Sequence, residues 1–323
     1  MTFFSWLRVL GATLSVLLAF NGVVAKFGRS QGEEMLRGLP VRGDYEQLFL
    51  GNSTMARGFD AKVYAQAAGI PESKVLKLAL GGVSAEEECL LLEEFFAKGN
   101  KVKQVVLGFH DLNLEGVGPH SWSSLSGAMN LIYFVPHERA QQVYQLSPAE
   151  SLKVRLTRWV PMLVRRSNLW ARVEQLRRRL ETIGMTEQKV SVDGRVKDFH
   201  FYPYLESERE KVHTVIQSLV LSGAALSAPL QRMIDVCRQN GVKLSVMEMP
   251  LKPERVALCE SDSRWVDYRE LRRSLLSSAK VSWHSFLKWA EDKDFVDPVH
   301  MTEDGAADFS RKLAAAKVFS TLP

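Results

Sequence analysis

Cysteine is scarce in this 323-residue chain. Cys89, Cys237 and Cys259 are the only three, no two of them form a C-x-x-C pair, and an odd number excludes a fully paired disulfide framework. Cys89 and Cys237 fall in helical, half-apolar contexts and read as buried free thiols. Metal-ligand spacing is also missing: His120, His137, His200, His213 and His284 are scattered, so neither a structural nor a catalytic metal is expected. There is no internal repeat and no low-complexity tract. Nucleic-acid motifs are absent, and the basic residues lack the aromatic interleaving that suits single strands, so no nucleic-acid partner is expected.

What is present is a chain that is 46% hydrophobic, enough to bury a full core as one large domain or one domain with an insertion. Its net charge of +5 is unevenly spread. Between Ser151 and Thr182 stand Lys153, Arg155, Arg158, Arg165, Arg166, Arg172, Arg177, Arg178 and Arg179 against only Glu174 and Glu181, a surplus of seven that leaves the rest of the chain at −2. The basicity therefore belongs to one helical element. A solvated helix face or docking to anionic lipid or polysaccharide accounts for it.

Long apolar runs are few, and the longest is N-terminal. From Phe3 to Ala25 the chain is apolar apart from Arg8, Asn21 and small hydroxyl residues. With Arg8 at the edge, it is a marginal membrane span, close to the roughly 20 residues needed to cross the hydrocarbon. Residues 1–30 are therefore expected to be a membrane anchor or a signal segment, with Val23-Val24-Ala25 as a cleavage site in the second case. Lys26, Arg29 and Arg37 follow the segment and only Arg8 precedes it, which on flanking charge alone favours a cytoplasmic C-terminal domain.

Residues 31–323 are expected to form an α/β domain. Strands at 45–51, 75–80 and 102–107 alternate with helices at 55–68 and from Ser84 to Gly99, where Glu86, Glu87 and Glu88 complement the helix dipole. The alternation resumes with a helix at 229–240, a strand at 242–249, a helix at 262–279 and a short strand at 281–286. Short apolar strands between amphipathic helices predict a doubly wound, flavodoxin-like parallel sheet of five strands, in the order 2-1-3-4-5. Residues 115–205 break the pattern, carry the basic helix and read as a helical insertion at the strand-end side.

Two short stretches supply the chemistry. Gly51-Asn52-Ser53 follows the first strand, and Asp297-Pro298-Val299-His300 precedes a last helix that Thr302 can cap. A serine hydroxyl becomes a competent nucleophile when an imidazole takes its proton, and the imidazole needs a third group to fix its tautomer. Asp three residues before His places a carboxylate beside the ring, giving Ser53, His300 and Asp297 as candidate nucleophile, base and orienting group. In a sheet of this order, ligands bind beyond the carboxyl ends of the first strands. Ser53, Gly81-Gly82 and the turn from Gly108 to Asp111 converge there, with backbone N–H groups of Ser53 and Gly82 as oxyanion donors.

With these blocks in hand, the chain resembles the SGNH (GDSL-type) hydrolase superfamily over residues 45–114 and about 228–323. Gly51-Asn52-Ser53 stands where the family has G-D-S, Gly81-Gly82 matches its second block, and Asp297, His300, Thr302 and Gly305 match its last. The third block, G-x-N-D in the family, reads Gly108-Phe109-His110-Asp111. The missing asparagine leaves His110, or Asn113 from beyond Asp111, as the side-chain oxyanion donor. The resemblance implies a serine-dependent esterase or O-acyltransferase without metal, nucleotide or other cofactor.

Joined to an N-terminal membrane segment, such a domain resembles the anchored proteins that O-acetylate exported polysaccharides. That implies an extracytoplasmic, periplasmic catalytic domain, an acylated glycan or cell-envelope polysaccharide as substrate, and a membrane acyl-donor protein as candidate partner. The alternative is a noncatalytic scaffold of the same fold in an envelope or polysaccharide-export complex, which the irregular third block favours and the intact serine, aspartate and histidine oppose.

Overall fold

A computed structural model describes residues 3–110, 131–160 and 225–319, with single helical positions at 165, 169, 170, 173, 214 and 217. Helices α1 (Phe3–Phe27) and α2 (Gln31–Gly38) precede strand β1 (Asp44–Gly51). Helices α3 (Ser53–Gly58) and α4 (Ala61–Ala68) lead to β2 (Val75–Ala79), and α5 (Ala85–Ala97) leads to β3 (Lys101–Phe109). Helices α6 (His137–Tyr144) and α7 (Pro148–Trp159) lie in the expected insertion. Then come α8 (Ala228–Gln239), β4 (Lys243–Glu248), α9 (Pro253–Glu260), α10 (Ser263–Ser278), β5 (Ser282–Ser285) and α11 (Glu303–Ala315). The chain divides into two compact units, residues 1–38 with 120–190 and residues 39–119 with 191–323.

The larger unit holds the sheet. Its five strands are all parallel and run in the order β2-β1-β3-β4-β5, the doubly wound arrangement expected from the element order. Leu48, Phe49, Leu50, Val105, Val106, Leu107, Val246 and Met247 are all fully buried, the continuous apolar pattern of strands covered on both faces. One covering layer contains α3, α4 and α11; Met55, Tyr64, Phe309 and Leu313 of these helices, with Phe59 from the link between α3 and α4, share a core with Phe49, Val106 and Met247. Phe49 stacks on Phe59 with ring centroids 4.0 Å apart and meets Tyr64 edge-on at 5.1 Å.

The helix expected over 55–68 is two helices. Phe59 is extended (φ −133°, ψ 125°), and Asp60 restarts the chain by accepting hydrogen bonds from the N–H groups of Lys62 and Val63. An aspartate at a helix start satisfies donors that have no intrahelical partner, so the break is cheap. The break also turns Ser53 onto its own short helix. Helix α9 was not expected from the sequence; it begins at Pro253, whose missing N–H costs nothing in the first turn.

Strand register sets the site. Gly51 is opposite both Ala79 and Gly108, so β1, β2 and β3 end level with one another. Gly51 is held at that point by close approach: a Cβ there would lie 2.7 Å from the Gly108 carbonyl oxygen and 2.7 Å from Met55 Cβ. Neither neighbour is the free end of a flexible side chain.

The smaller unit is tied together by a buried ion pair. Arg165 donates to Glu33 at 2.7 Å and to the Ala25 carbonyl at 2.9 Å, and its guanidinium lies 4.9 Å from the centroid of the Phe134 ring. Arg37 shares Glu33 at 3.0 Å. Arg158 reaches the Ile132 carbonyl at 2.7 Å. At least two of the basic residues of this stretch therefore have internal partners. Arg177, Arg178 and Arg179 lie outside the described residues.

The close approach at Gly51 generates a test. Gly51→Ala is expected to lower unfolding free energy by about 1–3 kcal/mol, as overpacking does. Urea denaturation of wild type and variant, followed by far-UV circular dichroism, measures it; equal midpoints would contradict the crowding.

Candidate active site

Ser53 is the first residue of α3, two residues beyond the end of β1. Asn52 is the N-cap: its Oδ1 accepts from Thr54 N–H at 3.0 Å and from Thr54 Oγ1 at 2.8 Å. The cap is almost completely buried, and its Nδ2 has no hydrogen-bond partner among the described residues. Ser53 itself is partly exposed. As a first-turn residue it has a backbone N–H with no acceptor inside the helix.

The second-strand glycines stand beside it. A Cβ built on Gly81 would lie 3.8 Å from Ser53 Cβ, with no other atom among its nearest contacts. Gly82 has φ +80°, the left-handed region that side chains rarely adopt, and both glycines are exposed. The chain then enters α5, where Ser84 caps and Glu86, Glu87 and Glu88 occupy the first turn as expected. These carboxylates are buried, and burial with Glu86 and Glu87 alongside pushes Glu88 well above the usual carboxylate range. His110 directly follows β3 and is buried. Asn113, the other candidate oxyanion donor, lies outside the described residues.

Asp297 and His300 share one tightly closed loop. Phe295 and Met301 form an isolated antiparallel bridge, Val296 N–H donates to the His300 carbonyl at 2.9 Å, and Thr302 N–H donates to the Asp294 carbonyl at 2.8 Å. Gly305 packs on this closure, since a Cβ there would come within 2.5 Å of the Asp294 carbonyl oxygen. Thr302 caps α11, its Oγ1 accepting from Gly305 N–H at 3.0 Å, as anticipated. At the loop tip, Val299 packs against Leu251, Val256 and Leu287.

Within the loop, Asp297 Oδ1 accepts from the N–H groups of Val299 (2.9 Å) and His300 (2.8 Å). Its Oδ2 meets His300 Nδ1 at 2.7 Å. Burial alone would raise the Asp297 carboxyl, but the imidazole and the two backbone N–H groups outweigh it and hold the carboxyl at about 2. An ionised carboxylate only accepts, so Nδ1 carries a proton, and in the neutral imidazole it is Nε2 that presents the lone pair. That Nε2 is buried and has no hydrogen-bond partner among the described residues.

The structure thus joins Asp297 to His300, and leaves the contact between Ser53 Oγ and His300 Nε2 unformed. The elements carrying them do meet: a Cβ on Gly58, at the end of α3, would lie 3.3 Å from Met301 Sδ, and Met55 and Met301 share one core. Among the described residues no group of three His, Cys, Asp or Glu side chains is placed to hold a metal ion. A cleft of about 700 Å³ runs between the α3–α4 segment and the start of α11, lined by Arg57, Asp60, Lys62, Lys77, Met301 and Glu303. Neither Ser53 nor His300 lines it, so it is not assigned to the reaction.

No protein-family model matches this sequence, and no curated protein matches it. Among solved structures, it is similar to a candidate acylhydrolase from Bacteroides fragilis, with 8% identity and a TM-score of 0.36 over 90% of this chain and 96% of that one. The case for a reaction rests on the site itself.

The Asp297 environment predicts a pH effect. The carboxyl is lower in the folded than in the unfolded chain, so its stabilising contribution is complete above about pH 4 and is lost as pH falls toward about 2. The gap in urea midpoint between wild type and Asp297→Asn should therefore shrink over that window. A gap independent of pH would contradict the assignment.

Proposed function

We propose that this chain is a serine-dependent esterase or O-acyltransferase of SGNH type. Ser53 attacks an acyl carbonyl, His300 takes its proton through Nε2 and returns it to the leaving alcohol, and Asp297 holds the imidazole in the required tautomer. The acyl group then passes from Ser53 to water or to a sugar hydroxyl. Backbone N–H groups of Ser53 and Gly82, with His110 or Asn113, face the developing oxyanion. The observation that carries the reading is the Asp297–His300 pair, with Nε2 facing away from the carboxylate, in the same compact unit as a serine at the level end of three parallel strands.

The substrate class we favour is an acylated glycan or cell-envelope polysaccharide. Helix α1 would hold the protein in the membrane: Arg8–Phe27 has a mean hydropathy of 1.7 and is only 6% buried. The catalytic domain would then be extracytoplasmic, with a membrane acyl-donor protein as partner if the reaction is transfer. A noncatalytic scaffold in an envelope complex is the second reading. The absent Ser53–His300 hydrogen bond and His110 in place of the expected asparagine favour it.

The two readings part on one assay. Detergent-solubilised full-length protein should release the alcohol from a small activated acetyl ester. Ser53→Ala should abolish that release, and His300→Ala should lose nearly as much, on the order of 10³-fold or more if the three residues act as a unit. Equal rates for wild type and Ser53→Ala, with matching circular dichroism, would select the scaffold. In an active preparation, acetylated sugar detected by mass spectrometry after adding glycan acceptors would select transfer over hydrolysis.

A further inference from the structure

Helix α7 has two unlike faces. Val154 and Thr157 are buried, while Leu152, Leu156 and Trp159 are 58%, 59% and 83% exposed. The exposed three stand at i, i+4 and i+7, so at about 3.6 residues per turn they form a single stripe opposite the buried pair. Arg155 flanks the stripe on one side and Lys153 on the other, and both are exposed. Isolated exposed apolar residues are ordinary, but a helix facing water carries polar residues along such a stripe. An apolar stripe edged by cations is the composition of a helix lying in the boundary between headgroups and acyl chains.

Its place in the chain points the same way. Arg165 follows Trp159 by six residues, and its guanidinium holds the carbonyl of Ala25 at 2.9 Å and Glu33 at 2.7 Å. Ala25 lies in the last turn of the apolar stretch Arg8–Phe27. Six residues reach at most about 21 Å, so the end of α7 is pinned near the point where the apolar helix gives way to charged chain. Lys26 and Arg29 add positive charge beside that same point, while Arg37 is paired with Glu33. All these residues belong to one compact unit.

We propose that α7 is a second membrane contact, inserting Leu152, Leu156 and Trp159 into the interface of an anionic phospholipid surface, with Lys153 and Arg155 facing the headgroups. The proposal rests on reading α1 as the membrane anchor. A single span leaves its unit free to tilt against the membrane surface. A second contact, made by an amphipathic helix tied to the exit of the span, removes that freedom. A protein partner or a second copy would also cover the apolar stripe, but it would give no role to the flanking cations or to the tether at Ala25.

Tryptophan fluorescence of the full-length protein in phosphatidylglycerol-containing proteoliposomes, with and without lipids brominated on the acyl chain, tests this. Subtracting Trp159→Phe isolates the Trp159 signal, and subtracting Trp6→Phe isolates a reporter on α1. Both signals should be quenched by the brominated lipid. Leu152→Glu with Leu156→Glu should abolish the quenching of Trp159 and leave that of Trp6. Lys153→Glu with Arg155→Glu should weaken Trp159 quenching in anionic vesicles, and pure phosphatidylcholine vesicles should do the same for wild type. Quenching of Trp6 without quenching of Trp159 would overturn the proposal and leave the anchor standing, whereas quenching of neither would overturn both. A Trp159 response to anionic polysaccharide, with none to brominated lipid, would likewise overturn it and assign the face to the polymer.

Discussion

The hydrogen bond from Thr302 N–H to the Asp294 carbonyl, at 2.8 Å, closes the loop on which the candidate chemistry depends. Without that closure, the separation of Asp297 from His300 would be a matter of chain entropy, about 1–2 kcal/mol for each residue ordered. With it, the pair sits inside a bridge made by Phe295 and Met301, and Gly305 fills the space beneath because no side chain can fit against Asp294. Met301 and Phe295 enter the same core as Met55 and Phe59. The two ends of the sequence thus meet through packed side chains, and cores packed to native density do not deform continuously.

Sheet order, the parallel register and the last cap were legible because each rests on a local signal. Apolar runs between glycine returns determine the strands, and a hydroxyl residue before an amphipathic stretch marks the start of α11. The break at Phe59 was missed although Asp60 is an ordinary helix-starting residue, because apolar residues continue across it and mimic one helix. The start of α9 was missed because Lys252-Pro253 after Pro250 reads as a turn. No periodicity announces that Glu86, Glu87 and Glu88 are buried, since burial is decided by what folds over them. The same holds for Glu33, whose partner Arg165 lies 132 residues away.

Arg165 also changes how the basic segment is understood. Read as composition, its charges form one electrostatic surface; in the structure they divide by exposure. Arg165 neutralises a buried glutamate and binds a helix-end carbonyl, a role in which removing either ion leaves the other stranded at a cost of several kcal/mol. Arg158 binds a carbonyl. Lys153 and Arg155 remain at the surface beside an apolar stripe. Charge counts alone cannot make these distinctions, because a guanidinium contributes the same +1 whether it braces a fold or faces a membrane.

The two oxygens of Asp297 have different partners. Oδ1 accepts two backbone N–H groups, and that alone is enough to shape the turn from Asp297 to His300. Oδ2 contributes nothing to the turn; it meets the imidazole Nδ1 at 2.7 Å and so determines which nitrogen of His300 bears the proton. That second contact is the one the proposed chemistry uses. The unformed bond to Ser53 does not weigh equally against it, because catalytic hydrogen bonds commonly tighten only when substrate is bound, whereas the orientation of the base must exist beforehand. Orientation is the part already in place here, and it is the part that a serine alone cannot supply.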